Sequence, residues 1–445
     1  MSSPFSDAIR FACHQCGEVL EVPSSIAGKK AQCPKCQAVQ QVPAGPEGAG
    51  TAGAPTAPHA ASNPVPPTHP DPSSFATPSA PVAPREVPGA PPVVAPAPSA
   101  ATPGAQPAPV RTGTLPTLTF EELADESGTT PARQLFQRVI EQVARVYVGQ
   151  DELVVGTLVA LFSGGHVLIE SVPGLGKTLF VRTLGRILGC RFGRIQFTAD
   201  LMPSDVTGAP IFNMKTQEFE FRPGPVFTQL LLADEINRAP AKTHAALLEI
   251  MQEYRVTIDG KAHPIERPFL VMATQNPIES EGTYNLPEAQ LDRFMFKLIV
   301  DYPGESEEAA VLEMHGGQRD VNRVLIESLE CVTGPEEIMA TTQATGAVKV
   351  EKPLIQYINQ LVRLTRRWPH FHMGASPRAG IALMQASRTL ATFCGRDYAV
   401  PDDVIRLALP VLRHRVILTA EAEVEGHSVD DLLTQLIRSV EVPRL

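Results

Sequence analysis

One short passage limits the possible folds of this chain more than any other. Ser171-Val172-Pro173-Gly174-Leu175-Gly176-Lys177-Thr178 joins an apolar run, His166-Val167-Leu168-Ile169-Glu170, to a stretch of helical spacing from Leu179 to Leu188. Strand, glycine-rich turn and helix, in that order, let backbone N–H groups close on phosphate oxygens at the positive end of a helix dipole. Gly174 and Gly176 permit the close approach, Lys177 can reach the outer phosphates, and the Thr178 hydroxyl is placed for Mg2+. The first glycine usual in such a loop is replaced by Ser171, and Pro173 stiffens the turn. The passage therefore predicts a triphosphate site in an α/β domain.

Two further apolar runs extend that reading. Leu230-Leu231-Leu232-Ala233 ends in Asp234-Glu235, and Phe269-Leu270-Val271-Met272-Ala273-Thr274 is followed by Asn276. Continuous apolar strands separated by helices predict a parallel sheet covered on both faces. An acidic pair at the end of such a strand divides its labour. Asp234 is expected to hold the Mg2+ shell, and Glu235 to orient and deprotonate an attacking water. Asn276 is placed to position that water beside the terminal phosphate, with a plain Asn-Pro turn as the competing reading.

The remainder of the chain divides by composition. A length of 445 residues predicts two or three domains. About half of the 43 prolines crowd between Pro43 and Pro116, where no apolar periodicity offsets the entropy of ordering, so residues 44–118 are expected to be a disordered tether. As a flexible coil that tether would span on the order of 50 Å. Apolar spacing of helical period begins after Pro131 with Leu135, Val139, Val143 and Val146. Beyond Tyr302-Pro303-Gly304 the strand signals fade, and Leu354–Arg367, Ser376–Phe393 and Pro401–Arg415 read as helices. The expected domains are 119–302, an α/β core, and 303–445, a helical domain. Two segments, Gly208–Gly224 and Arg255–Ile265, read as hairpins.

At the N-terminus, Cys13-His14-Gln15-Cys16 and Cys33-Pro34-Lys35-Cys36 carry the spacing of a zinc ribbon over residues 1–43. Four thiolates complete a tetrahedral shell, so Zn2+ at Cys13, Cys16, Cys33 and Cys36 would be structural. Each pair precedes an alternating run, Glu18–Val22 and Ala38–Val42, that reads as a strand. The other cysteines, Cys190, Cys331 and Cys394, read as inert thiols, and Trp368-Pro369-His370-Phe371-His372 reads as a loop or packing cluster rather than a metal site. Net charge is −10, which argues against a strong grip on nucleic acid. The first 43 residues have four basic and three acidic side chains, too little positive charge for phosphate-backbone binding. A ribbon that targets the chain to nucleic acid is nevertheless the alternative reading. No export signal is visible, and the longest apolar run, Leu153–Phe162, is too short to span a bilayer. A cytoplasmic protein without membrane insertion is expected.

From about Leu118 to Arg438 the chain resembles the MoxR-type AAA+ ATPases. The resemblance rests on Val148-Gly149-Gln150, Val172 to Thr178, Ala233-Asp234-Glu235-Ile236-Asn237-Arg238-Ala239-Pro240, Ala273-Thr274-Gln275-Asn276-Pro277, Leu286 to Phe294, and Gly374-Ala375-Ser376-Pro377-Arg378-Ala379. It implies a P-loop NTPase core of the AAA+ type with a helical lid, and ATP with Mg2+ held by Val148, Gly149, Pro173, Gly174, Leu175, Gly176, Lys177, Thr178, Leu179 and Asp234. Arg293 is similar to the arginine finger that reaches a neighbouring subunit's ATP, and Arg378 to the lid arginine that contacts the γ-phosphate. Further implications are a homo-oligomer, expected to be a hexameric ring, and remodelling of a client protein carrying a von Willebrand A domain. In related motors the two hairpins would face the pore; plain structural hairpins fit the sequence equally well.

Overall fold

A computed structural model describes residues 8–12, 19–23, 28–36, 39–42, 115–120, 123, 130–277, 284–316 and 326–444. The proline-rich tether falls almost wholly outside them, as do Cys13 and Cys16. The chain divides into two compact units, Met1–Ser99 and Ala100–Leu445.

The first unit contains two antiparallel pairs. Strand β1 (Ala8–Ala12) pairs with β2 (Val19–Pro23), and β3 (Lys30–Gln32) with β4 (Val39–Gln41). β2 and β4 are the strands read from the alternating runs. Their partners β1 and β3, equal to them in length, are not among the strands read from the sequence. Cys33 opens the connection between β3 and β4, where it is buried against Leu20, with Cys36 packed alongside.

The second unit begins with helices α1 (Pro131–Ala144) and α2 (Asp151–Phe162), then β5 (Val167–Ser171), α3 (Lys177–Ile187), β6 (Phe192–Gln196) and a short α4 (Pro203–Thr207). A hairpin of β7 (Gly208–Asn213) and β8 (Glu218–Pro223) precedes β9 (Leu230–Asp234) and α5 (Ala241–Glu253). A second hairpin, β10 (Arg255–Ile258) and β11 (Lys261–Pro264), leads to β12 (Leu270–Gln275), α6 (Glu288–Leu291) and β13 (Phe296–Val300). Both hairpins fall where the sequence places them, the second turning at Asp259-Gly260, both with positive φ.

The central sheet has the order β13-β5-β12-β9-β6 with every neighbour parallel. Successive side chains of a strand face opposite sides, and here the alternation separates two cores. Val167, Ile169, Leu230, Leu232, Leu270 and Met272 join one cluster. Leu168, Leu231, Ala233, Val271 and Ala273 join the other, against Leu247 and Leu248 of α5. Burial on both faces is why these strands read as unbroken apolar runs. The run Leu153–Phe162 is the interior of α2, buried at every position. Among the described residues no helix is long and apolar enough to cross a membrane.

Helices α7 (Glu305–His315), α8 (Pro335–Thr345) and α9 (Lys352–Thr365) follow the sheet. After β14 (Phe371–Met373) come α10 (Pro377–Phe393), α11 (Pro401–Leu412), β15 (Ile417–Leu418), α12 (Ala420–Val424) and α13 (Val429–Ser439). Leu361, Leu383, Leu390 and Leu407 of these helices belong to the same apolar cluster as one face of the sheet. Phe393 stacks on Phe136 of α1 with centroids 4.2 Å apart. The C-terminal helices thus share a core with the sheet, whose C-terminal strand ends carry the polar residues.

Candidate active site

The loop between β5 and α3 owes its path to two glycines. Gly174 and Gly176 have φ of 91° and 72°, a region where residues with side chains are strained. A Cβ on Gly174 would meet nothing within 4 Å, so the backbone angle, rather than space, demands glycine there. Lys177 Nζ donates to Ser171 Oγ at 2.7 Å and to Val172 O at 3.3 Å, which folds the ammonium back across the loop. Ser171, the departure from the usual glycine, therefore supplies an acceptor that glycine lacks. Burial lowers the Lys177 pKa, and the negative charges of Asp234 and Glu235 oppose that shift. Thr178 lies in the first turn of α3.

The acidic pair sits at the end of β9 in a network of side chains from neighbouring strands. Asp234 Oδ1 accepts a hydrogen bond from Thr274 Oγ1 at 2.6 Å, and its Oδ2 accepts from Arg194 Nη2 at 2.7 Å. Glu235 has a left-handed backbone, φ 54°, uncommon for a residue with a side chain. Two contacts hold that turn: the Glu235 N–H donates to Thr274 Oγ1 at 2.9 Å, and the buried His244 donates to Ile236 O. Glu235 Oε2 accepts from Gln196 Nε2 and from Arg238 Nη1, each at 2.8 Å. Asn276 follows β12 directly and is half-buried.

Beside the loop lies a cleft of about 480 Å³. Val148, Pro173, Gly174, Leu175, Gly176 and Leu179 line it, and Tyr147, Tyr302, Leu312 and His315 close its other sides. Gly149 turns at φ 72° next to Gln150 at φ 65°. A Cβ on Gly149 would stand 2.7 Å from the Glu307 carboxyl. That carboxyl could swing aside, so the positive φ, rather than the contact, favours glycine here. Tyr147 Oη donates to Leu175 O at 3.2 Å, tying the N-terminal helical region to the loop. A loop of N–H donors with a lysine, a partly apolar cleft, and the oxygen donors Thr178 and Asp234 are the groups a nucleotide with Mg2+ needs.

The two arginines are linked through Asp292. Arg293 Nη1 donates to Leu248 O at 2.7 Å. The preceding Asp292 accepts from Arg415 Nε at 2.8 Å and from Ser376 Oγ at 2.9 Å, and Arg378 Nη1 lies 4.0 Å from its Oδ2. The segment bearing Arg293 is therefore fastened to the N-terminus of α10. Of the zinc candidates, Cys33 and Cys36 flank the turn after β3; Cys13 and Cys16 lie outside the described residues. Cys190 is buried, which pushes its thiol up to about 12, as suits an inert thiol.

Sequence reading missed Arg194, Gln196, Thr274 and Tyr147. Arg194 and Gln196 are alternate residues of β6, so they share the face that meets Asp234 and Glu235. That signal becomes visible only once β6 is known to lie beside β9.

Residues 166–296 match the ATPase family associated with various cellular activities (AAA), and residues 363–436 match the AAA lid domain. The chain is 46% identical over 309 residues to the YeaC protein of Bacillus subtilis, covering 69% of this chain and 95% of that one. It is 43% identical over 320 residues to the chaperone MoxR1 of Mycobacterium tuberculosis, covering 69% and 82%. A solved Cytophaga hutchinsonii structure assigned as an ATPase is 39% identical, with a TM-score of 0.65 over 70% of this chain and 96% of that one.

Proposed function

This chain belongs to the MoxR family of AAA+ ATPases and hydrolyses ATP, and from that premise we propose that it works as a ring, a hexamer, that remodels or matures a client protein. ATP brings the phosphoanhydride bond that is broken, and Mg2+ screens the charge on its oxygens. The protein's own groups do the rest. Backbone N–H groups of residues 174–178 and Lys177 hold the phosphates, while Thr178 and Asp234 hold the metal. Glu235 takes the proton of the attacking water, and Asn276 positions that water. Arg293 reaches the site of the neighbouring subunit and Arg378 closes on the terminal phosphate from the lid, both as cations that stabilise charge developing in the transition state.

The observation that carries this reading is the paired carboxylate at the end of β9, with Glu235 turned out of the strand at φ 54° while Asp234 stays in it. One carboxylate can bind metal while the other handles the proton. In this account residues 1–43 form a zinc ribbon on a tether, 44–118, that targets a core, 119–302, and a lid, 303–445, to their work. Cys13, Cys16, Cys33 and Cys36 hold the zinc. One relative, MoxR1 of Mycobacterium tuberculosis, is named a chaperone, which supports a client protein. A von Willebrand A domain is the client class proposed.

The test is phosphate release by Glu235→Gln beside a nucleotide-binding measurement. Turnover is expected to fall about 100-fold or more while ATP binding persists. Wild-type turnover in this variant would remove Glu235 from the mechanism. The same variant, holding ATP, is the form in which a client should be retained.

A further inference from the structure

A second cluster of ligand-type side chains lies in the C-terminal helices, apart from the nucleotide cleft. His370, Glu425 and His427 each offer a nitrogen or oxygen atom, and these atoms all lie within 4.8 Å of one another. Local sequence does not bring them together, since 54 residues lie between His370 and Glu425.

Backbone structure fixes all three positions. Strands β14 and β15 pair with Phe371 opposite Leu418, and the Thr419 N–H donates to His370 O at 3.0 Å. Thr419 then caps α12, its Oγ1 accepting from the Ala422 N–H at 3.3 Å. The helix ends at Gly426, φ 78°, with Gly426 N–H bonded to Glu423 O and His427 N–H to Ala422 O, each at 3.1 Å. That paired closure is a Schellman turn, in which the left-handed glycine reverses the chain. It sets Glu425 and His427 on either side of Gly426, against the His370 that the same Thr419 anchors.

The contacts within the cluster leave capacity for a ligand. His427 Nε2 lies 3.4 Å from Glu425 Oε2, and the His370 and His427 rings stand 5.5 Å apart, edge to face. His370 Nδ1 is buried and has no hydrogen-bond partner among the described residues, an unmet polar atom of the kind that costs free energy. The side chains of Glu425 and His427 are 60% and 38% exposed, so an ion can reach the site from solvent.

We propose that His370, Glu425 and His427 bind one divalent transition-metal ion of the zinc type. Two imidazoles and a carboxylate are a ligand set that Zn2+ accepts, with its fourth position left to water. Mg2+ prefers oxygen ligands, so this site and the nucleotide's metal site select different ions. Bound there, the ion clips the β14–β15 ladder to the turn between α12 and α13.

The test is equilibrium dialysis of the untagged full-length chain against Zn2+ in excess Mg2+, with metal measured per chain. His427→Ala and Glu425→Gln alter exposed side chains outside the nucleotide machinery and should leave folding and turnover unchanged. Each is expected to bind one equivalent fewer than wild type, whatever the N-terminal cysteines hold. With Co2+ in place of Zn2+, the lost species should lack thiolate-to-metal charge-transfer absorption. Equal stoichiometry in wild type and both variants overturns the proposal, as does loss of a thiolate-absorbing species.

Discussion

The two units of this molecule illustrate opposite ways of making a fold. In the larger, β9 is buried on both faces and Leu230, Leu231, Leu232 and Ala233 are inaccessible to solvent. In the smaller, the buried apolar residues among those described are Leu20, Cys33 and Val42, and one of them is a proposed zinc ligand. A module of about 35 residues removes too little apolar surface from water to offset its ordering entropy. A large core has stability to spare. It can hold a left-handed Glu235 and a buried Asp234 at its strand ends, whereas the small unit, under the proposed zinc reading, would take its ligand site as its core.

The sharpest way to break that comparison is to remove the proposed zinc. Cys33→Ser, or a strong chelator, should unfold the first unit outright, because structural zinc contributes about 10–16 kcal/mol in small modules. Limited proteolysis of the full chain would then cut residues 1–43 while turnover and the main melting transition stay unchanged. Collapse of the core as well would end the distinction. The mirror experiment is Leu232→Ala. It should cost the second unit about 2–5 kcal/mol in urea unfolding and leave the metal content of the first unit alone.

Acid should separate the units next. His166 is enclosed in the larger core, its Nδ1 accepting from the Val271 N–H and its Nε2–H donating to Met251 O, both at 3.1 Å. Both nitrogens are satisfied in the neutral ring, and burial pushes its pKa from 6.5 down to about 4. Between those values the unfolded chain binds a proton that the folded one refuses. Stability is therefore complete above pH 6.5 and declines on acidification, by about 3 kcal/mol at pH 4. Unfolding midpoints against pH check this; a flat profile over that window contradicts it. The smallest expected effect is at the strand ends. Arg194 shares the Asp234 carboxylate, so Arg194→Ala should tighten Mg2+ activation of turnover by about 5-fold or less, as befits a half-exposed ion pair. Weaker Mg2+ activation would assign Arg194 a different role.

Much of this was legible in the sequence, for stated physical reasons. Residues buried on both faces of a parallel sheet must be continuously apolar, so β5, β9 and β12 announced themselves, and with them the loop at Gly174 and the pair Asp234-Glu235. Hairpin turns at Asp259-Gly260 were equally readable. What escaped depends on strand order. Arg194 and Gln196 face Asp234 and Glu235 only because β6 is the neighbour of β9. Thr274 binds both members of the pair only because β12 lies on the other side. His370, read as a packing residue, meets Glu425 and His427 through a hairpin and a helix cap that no local pattern reveals. Ser171 looked like a flaw in the phosphate loop, and the Lys177 contact gives it a use.

The central claim is that each catalytic site joins the Lys177 loop and Glu235 of one subunit to Arg293 of the next. Co-assembly of Arg293→Ala chains with Glu235→Gln chains tests it most directly, since each variant alone should be inactive. In a ring assembled at random from equal amounts, about one quarter of the interfaces pair an intact Glu235 with an intact Arg293. Phosphate release should return to about that fraction of wild type. A mixed assembly as inactive as its parents would contradict the shared site.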